Sequence, residues 1–463
     1  MILTIAITLM ISISSFVFAG EVGPFDYIAG GEEWDPVVRT TWIGSLKGSF
    51  YEMGFQYGER ADLDILRNSD MEWVLCKKAV GGSVADLKGR LQKYLEQIEL
   101  FSPQTVEFLK GMTDGAGSQL STSPYADEAT NFERLFNLQV YVPIRYAVTP
   151  ADHGCNGFWI GSQATKDGKA IATFHSQGGM MGASKWNVHH MYIMVPDDPN
   201  ANIVWAKNGG GSISTGGAMF NDAGLFMGLH ASGTSEYEDI AAYGVEYNLS
   251  RLHVALYSDN AEEAARMLIF GTPEYRAKTG RKTVLRTRGV VIPLSDPNTA
   301  IMVEMTARRY ALRRPGDMGE KGAGYICQAN NNFMEYSYDE NNEKTDVPMT
   351  KYSPRVPEDS SYYRFWSPMW EIKNNYGQID LEMVLRQLTA SHKIYDKEGN
   401  ELEYEMGSTF CTHKFAGGNP GGSHCPVVVV PETLEIYEVP AWPCRFVDKN
   451  WNYFNLNDYK AMR

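Results

Sequence analysis

The sequence predicts an α+β protein in which sheets pack against helices within one large domain. Between residues 84 and 142, apolar residues recur at the three- and four-residue spacing of helices. After residue 155, short β-rich runs separated by turn residues dominate, with two further helices among them. Because no internal repeat or low-complexity linker divides the chain, a single domain is favoured over several.

The first half of the chain is expected to be mainly helical. Residues 40–61 predict a short strand that leads into a helix, in which Gly54 and Gly58 are four positions apart. Such a pair lets another element approach closely, or it only costs helix stability. A strongly periodic segment begins at Val84, and Ser102-Pro103 marks the start of the next helix, with proline at its first position. Asn131 to Val142 predicts one more short helix.

The second half is expected to supply the sheets. The turn residues Lys166 to Lys169 separate two β-rich runs and predict a hairpin. Helices are predicted from Ala261, capped by Asp259 or Asn260, and from Leu381 to Thr389. The predicted strands cover residues 157–160, 170–174, 188–195, 203–206, 225–229, 290–293, 300–304 and 426–430.

The composition is that of a folded globular protein. The 463 residues are 43% hydrophobic and 21% charged, which is ordinary for such proteins. The net charge of −14 argues against a nucleic-acid partner, and no polybasic run suggests anionic lipid. Metal-binding CxxC spacing is absent, and the glycine-rich run at 208–212 lacks the Gly-Lys-Ser/Thr ending of a phosphate loop. The sequence therefore predicts no cofactor and no metal.

The N-terminal residues Met1 to Ala19 carry no charge and end in the modest side chains of Val17 and Ala19. This favours a signal peptide cut after Ala19, although no Lys or Arg precedes the apolar run. An uncleaved membrane anchor is the alternative, since the stretch is nearly long enough to span a bilayer. No later stretch is as long and apolar. We therefore expect an exported protein, located in a periplasm, outside the cell or in a lysosome-like lumen.

The chain contains six cysteines, and export would permit disulfides between them. If Cys155 is a nucleophile, five remain, and five cannot all pair. At most two bridges would then form, and their connectivity cannot be derived from the sequence. We expect Cys411, Cys425 and Cys444 to supply one of them.

Cys155 is the residue on which the functional prediction depends. It opens a β-rich run after Gly154, as Gly154-Cys155-Asn156-Gly157. A thiol attacks as its thiolate and needs a base nearby. Neither a Ser-His-Asp signature nor a papain-like run is present to supply one. The structural alternative is a buried or disulfide-bonded cysteine, which is the commoner role of a single cysteine.

A cysteine at a chain terminus carries its own base. The reference pKa of an α-amino group, near 7.7–8.0, places it close to neutral operating pH. That amine exists only if the Gly154–Cys155 bond is broken, and the thiol itself can attack the unhindered Gly154 carbonyl. His153 is near enough in sequence to be a candidate for assisting this step, although a simple turn role is favoured for it. The sequence thus predicts self-cleavage between Gly154 and Cys155.

The segment around Cys155 resembles the new N-terminus of an N-terminal-nucleophile hydrolase of the acyl-CoA:isopenicillin N acyltransferase-like family. The resemblance runs from about Trp42 to Pro443. It includes the Gly-Ser…Glu-Met-Gly…Gly-Glu segment at 44–59, the helix exit at 108–117 and the Asn-x-x-Gly-Leu turn at 221–225. It implies a four-layer α/β/β/α sandwich, with residues 20–154 as a mainly helical chain or propeptide and residues 155–463 as the catalytic chain.

The same resemblance implies further site residues. Asn221 corresponds to a donor for the tetrahedral oxyanion, although its surroundings also fit a hairpin turn. Asn331 aligns best with a second asparagine, in the run 328–333. Arg364 lies in a stretch where a Ser/Arg pair is near the nucleophile, and could hold a carboxylate. An exposed ion pair is the alternative for Arg364.

One departure from the family concerns the second strand after the nucleophile. The family usually has an Asn-x-Asp there, whereas this chain has His175, Ser176 and Gln177, with no carboxylate. His175 or Gln177 would occupy that region. His175 could take part in acid–base chemistry, although a histidine on a strand is more often a satisfied core residue.

The predicted function is that of an exported, self-processing cysteine amide hydrolase or acyltransferase that acts through a thioester on Cys155. The expected partners are a small-molecule amide or acyl substrate and the protein's own two cleaved chains. Variants of this prediction are a lipid amidase resembling acid ceramidase and a dipeptidase. The absent carboxylate keeps open a non-catalytic binding protein on the same fold.

Overall fold

The computed structural model describes ten stretches of the chain. Only the backbone is described for residues 39, 153, 177–179, 360 and 421–425. The proposed signal peptide lies outside the described residues. The described ranges are 39–145, 153–179, 188–213, 217–232, 243–287, 289–352, 360–403, 409–411, 421–440 and 442–463.

A strand and a group of helices form the N-terminal part. Strand β1 (Arg39–Gly48) leads into helix α1, which Ser49 and Glu52 cap reciprocally. Ser83 and Ser102 cap the two periodic helices α3 and α4 with their side-chain oxygens. The helices are α1 (Phe50–Arg60), α2 (Asp62–Ala79), α3 (Val84–Phe101), α4 (Pro103–Gly115), α5 (Gly117–Leu120) and α6 (Asn131–Arg145).

The strands of the second part form two large sheets and one separate two-stranded pair at residues 394–395 and 401–402. They are β2 (His153–Ile160), β3 (Ile171–Gly179), β4 (Val188–Pro196), β5 (Val204–Gly209), β6 (Ala218–Asn221), β7 (Phe226–Met227), β8 (His230–Ala231), β9 (Val290–Ser295), β10 (Ala300–Met305), β11 (Tyr310–Arg313), β12 (Tyr325–Gln328), β13 (Ser337–Tyr338), β14 (Lys344–Thr345), β15 (Ile394–Tyr395), β16 (Glu401–Leu402), β17 (Gly421–Val430), β18 (Glu435–Glu438) and β19 (Asn452–Asn455). The remaining helices are α7 (Tyr247–Tyr257), α8 (Ala261–Phe270), α9 (Pro273–Thr279), α10 (Ser360–Asn374), α11 (Leu381–Met383) and α12 (Asn457–Lys460).

The larger sheet has eleven strands in the order β1-β4-β5-β6-β7-β9-β10-β11-β13-β14, with β8 beside β9. The smaller sheet has six, in the order β12-β2-β3-β17-β18-β19. The hairpin predicted at residues 166–169 joins β2 and β3, which pair antiparallel. The helix predicted over 381–389 is only partly α-helical, because α11 continues into a π-helical turn at Val384–Leu388.

The buried clusters show four layers. One face of the larger sheet, carrying Tyr192 and Met194, packs against helices α1 to α9. Its other face, carrying Ile193 and Trp205, packs against the smaller sheet. The far face of the smaller sheet, carrying Phe158, packs against α10. This arrangement confirms the predicted α/β/β/α sandwich, and a buried ion pair between Lys207 and Glu438 also joins the two sheets.

Glycines allow α1 and α4 to pack with their backbones almost in contact. A Cβ added at Gly54 would lie 2.0 Å from the carbonyl oxygen of Phe108, and one at Gly111 would lie 2.0 Å from that of Tyr51. Gly58 and Gly115 make the same kind of approach one turn further along. Of the two interpretations of Gly54 and Gly58, the structure supports close approach.

We therefore expect Gly54→Ala to destabilise the protein, by about 2 kcal/mol or more, because the helices must separate to admit a methyl group. Gly89→Ala is the matched control, since Gly89 lies inside α3 and an added Cβ meets nothing within 4 Å. That substitution should stabilise the protein by about 0.5–1 kcal/mol. Urea unfolding of both variants measures the two effects. Equal effects would show that helix propensity, not packing, governs Gly54.

The cysteines do not form the expected bridge among the described side chains. No disulfide joins any two of Cys76, Cys155, Cys327, Cys411 and Cys444. Of the three cysteines expected to supply one bridge, Cys411 and Cys444 are not joined to each other, and the side chain of Cys425 lies outside the described residues. Within the described ranges, no helix combines the length and hydrophobicity needed to cross a bilayer.

Candidate active site

Cys155 is the third residue of β2, in the interior of the smaller sheet. Strand β2 is flanked by β12 on one side and β3 on the other. The side chain of Cys155 points into the core between the two sheets and is 5% exposed. A surface-loop position would have excluded the nucleophile prediction, whereas this position holds both the thiol and its backbone in a fixed place.

The backbone of Cys155 is held from two directions. Its N–H donates to Oδ1 of Asn330 at 2.7 Å, and its carbonyl accepts from Nη1 of Arg364 at 2.7 Å. The same Nη1 also donates to Oδ1 of Asn330 at 3.1 Å. Asn330 and Arg364 thus form a buried clamp on the nucleophile's main chain.

Neighbouring groups hold the clamp itself. The backbone N–H of Asn330 donates to Oγ of Ser361 at 2.9 Å, and its Nδ2 donates to the carbonyl of Ala231 at 2.7 Å. Ser361 and Arg364 both lie on α10, one turn apart. Helix α10 therefore positions the Ser/Arg pair that the sequence placed near the nucleophile, and Arg364 is not an exposed ion-pair residue, since it is fully buried.

His230 faces the nucleophile from the other sheet. It lies opposite Val291 in the β8–β9 pair, and Val291 belongs to the core between the sheets. Burial, and after it the positive charge of Arg364, lowers the pKa of His230 to about 3. The imidazole is therefore neutral at physiological pH and can donate one hydrogen bond without carrying charge.

A second buried guanidinium acts on the thiol. Arg251, on α7, donates to the carbonyls of Gly217 and Met227 at 3.0 and 3.4 Å. Burial lowers the pKa of Arg251 to about 10, and the Cys155 thiolate is among the charges that raise it. Because the interaction is mutual, the charge of Arg251 favours the thiolate form of Cys155.

His175 does not reach the thiol. It pairs with Asn156 in the β2–β3 register, one residue beyond Cys155, so its side chain lies on the opposite face of the sheet. There its ring packs against Phe410, with centroids 4.6 Å apart, and burial lowers its pKa to about 3. Ser176 is the residue directly opposite Cys155. The prediction that His175 acts at the thiol is therefore wrong, because the side chains of His175 and Cys155 lie on opposite faces of the smaller sheet.

Asn221 is likewise directed away from Cys155. Its Nδ2 donates to the carbonyls of Ala255 and Ser258 at the end of α7, and its Oδ1 accepts from the N–H groups of Ala223 and Leu225. Every hydrogen-bonding position of this amide is therefore used within the turn and the adjacent helix end. Of the two roles left open for Asn221, the structure supports the turn.

The asparagine that contacts Cys155 is Asn330 and not Asn331. Strand β12 pairs Gln328 with Gly157, and two more steps of this antiparallel register bring Asn330 opposite Cys155. Asn331 is buried, and its carbonyl accepts from Nε2 of Gln328. The sequence prediction named Asn331, whereas the asparagine beside Cys155 is the preceding residue, Asn330.

The bond predicted to break lies within β2. Gly154 pairs with Gln177, and the strand begins one residue earlier at His153, of which only the backbone is described. The structure therefore fixes the Gly154–Cys155 bond within a ladder of backbone hydrogen bonds, next to the Asn330–Arg364 clamp.

Known proteins offer only a distant likeness to this chain. No family model matches the sequence, and no curated protein matches it. Among solved structures, the chain is similar to a crystal structure of a mutant conjugated bile acid hydrolase from Clostridium perfringens. The match covers 66% of this chain and 93% of that chain, at 12% identity and a TM-score of 0.38. Values this low establish no shared family.

Proposed function

We propose that the protein is a self-processing cysteine amide hydrolase whose nucleophile is the thiol of Cys155. The observation that carries the proposal is the hydrogen bond from the Cys155 N–H to Oδ1 of Asn330, at a buried strand position tied down by Arg364. If the Gly154–Cys155 bond breaks, that nitrogen becomes an α-amine held beside its own thiol. Amine and thiol on one residue supply the base and the nucleophile together.

The proposed reaction has two stages. The α-amine takes the thiol proton, and the thiolate attacks the amide carbonyl carbon of the substrate. The protonated amine then gives its proton to the departing substrate nitrogen, which leaves a thioester on Cys155. Water attacks the thioester and releases a carboxylic acid, or an acceptor amine takes the acyl group instead. The charge of Arg251 favours the thiolate that begins this sequence.

The developing oxyanion requires a preorganised donor. Asn221 cannot serve, since its amide is used within its turn. We assign this role to His230, whose neutral ring faces Cys155 from the larger sheet. A neutral donor of this kind can stabilise negative charge without bringing in a proton that titrates near neutral pH.

Two further expectations belong to this proposal. Cleavage would leave two chains that remain associated, because helices α1 to α6 and the strands of the larger sheet share one buried core. We also propose that the protein is exported, on the basis of the uncharged and largely apolar composition of Met1 to Ala19. Lipid amidase, dipeptidase and acyltransferase activities are narrower forms of the same chemistry.

A thiol-reactive probe separates an enzyme from a non-catalytic binding protein. We expect iodoacetamide to modify Cys155 of the folded protein faster than Cys444, although Cys155 is the more buried of the two, because Arg251 and the α-amine favour its thiolate. Peptide mapping after short exposure measures the two rates, and Cys155→Ala controls for labelling elsewhere. Modification of Cys444 alone would favour the binding protein.

A further inference from the structure

A second group of reactive side chains lies on the far side of the smaller sheet from the Cys155 thiol. His392, Cys411 and Cys444 each offer one ligand atom, and these atoms all lie within 4.8 Å of one another. Cys411 is fully buried, Cys444 is half-buried and His392 is exposed. The three residues are far apart in the sequence, so the fold brings them together.

Backbone contacts position these residues independently of any ligand. The N–H of Cys411 donates to the carbonyl of Ser391 at 3.1 Å, which places the segment 409–411 beside His392. The hydroxyl of Ser391 donates to Oε1 of Glu371 on α10 at 2.8 Å. Cys444 belongs to a 3-10 turn, Pro443–Phe446, and Arg386 donates to the carbonyl of Val447 just beyond that turn.

We propose that His392, Cys411 and Cys444 bind a divalent zinc-type ion and leave its fourth coordination position open. Two thiolates and an imidazole are a usual zinc ligand set, and in tetrahedral geometry their ligand atoms would be roughly 3.6–3.8 Å apart. The observed separations, within 4.8 Å, need contract by only about 1 Å to reach that geometry. The exposed side of His392 leaves room for water as the fourth ligand.

Binding has a defined proton balance. Each cysteine releases its Sγ–H proton when its sulfur coordinates the ion, and His392 coordinates as the neutral ring. Two protons are therefore released for each ion, and the two thiolates neutralise its charge. No oxidant is needed, whereas a Cys411–Cys444 disulfide would require one and would leave His392 without a role in the cluster.

The site would tie three segments to the helix that carries Arg364. Through Ser391 and Glu371 the cluster is joined to α10, and α10 also positions the clamp on Cys155. A bound ion would stabilise this outer layer whether or not Cys155 is catalytic. The proposal is therefore separate from the amide hydrolase assignment.

Metal analysis of the purified full-length protein tests the site. We expect about one equivalent of zinc in protein prepared without chelators, and loss of that zinc in His392→Ala and Cys444→Ser. Cys76→Ala is the matched control, because Cys76 is a buried cysteine on α2 whose loss should leave the zinc content unchanged. His392 is exposed, so its replacement should preserve the fold, which circular dichroism checks.

Measurement of the intact mass with and without alkylation shows whether Cys411 and Cys444 are thiols or a disulfide. A mass lower by two hydrogens, with Cys411 and Cys444 blocked until reduction, would show a disulfide and overturn the proposal. Absence of zinc together with unoxidised thiols, and no visible absorption on adding cobalt(II), would overturn it as well. Zinc retained by His392→Ala would remove the imidazole from the site and contradict the ligand set.

Discussion

Cys155→Ala is expected to remain a single uncut chain with no amidase activity, whereas the wild type separates into two chains, the larger beginning at Cys155. The reason is that the Cys155 thiol is the proposed nucleophile both for self-cleavage and for amide hydrolysis. It attacks the Gly154 carbonyl carbon, the C–N bond breaks as the amine takes the thiol proton, and water then hydrolyses the thioester. Loss of a nucleophile typically lowers kcat by a factor on the order of 10⁶. Intact-mass and N-terminal analysis measure the cleavage.

Cys155→Ser provides the graded control. A hydroxyl can make the same attack but is the weaker nucleophile, so slow cleavage is expected. His153→Ala tests whether that neighbour assists, and unchanged cleavage would assign it to a simple turn role. An uncut wild type that still hydrolyses amides would exclude the α-amine as base. The neutral ring of His230, which already faces Cys155, would then be the side chain to test.

The elements that the sequence predicted well are those with strong local signals. Helices α3 and α4 combine regular apolar spacing with serine caps, and both lie where they were expected. Helix α2 was missed because its buried face includes Asn68, Ser69 and Glu72, which interrupt the apolar pattern. Helix α7 was missed because it is buried on nearly all sides and therefore lacks a polar face.

The candidate site shows a different kind of limit. The sequence located the strand of Cys155 and the stretch that contains Arg364, but it selected His175 where Ser176 is opposite Cys155. It likewise selected Asn331 where Asn330 makes the contact. On a strand, an error of one residue places a side chain on the other face of the sheet. Pairing register decides such cases, and register depends on partners that are distant in the sequence.

The role of His230 could not be predicted from local pattern at all. It lies on a two-residue strand, and its relation to Cys155 arises only when the two sheets pack face to face. Arg251 is similar, since it lies on helix α7 in the outer helix layer and interacts electrostatically with Cys155. The residues around the nucleophile thus come from separate layers, and tertiary packing alone brings them together.

The register of β12 and β2 places Asn330, and not its neighbour Asn331, opposite Cys155, so the two asparagines should differ in their effect on self-cleavage. Asn330→Ala is expected to slow self-cleavage by about 10²-fold, because the Cys155 nitrogen loses the acceptor that holds it, and small displacements at a reacting centre cost that much. Asn331→Ala is the matched control and should change the rate little. Mass spectrometry of freshly synthesised protein over time measures both rates. A larger effect at Asn331 would show that the register argument is wrong.

Asn330→Asp separates positioning of the amine from a merely structural role. A carboxylate at Oδ1 would favour the protonated α-amine and disfavour the nearby thiolate, so both effects act in the same direction. The pH profile of iodoacetamide labelling at Cys155 should therefore move to higher pH, by on the order of one unit, with Arg364 offsetting part of the shift. A purely structural Asn330 would leave this profile where it is in the wild type. If Asn330→Asp folds, is cleaved and shows an unchanged pH profile, Asn330 does not influence the protonation of the α-amine that serves as the base for Cys155.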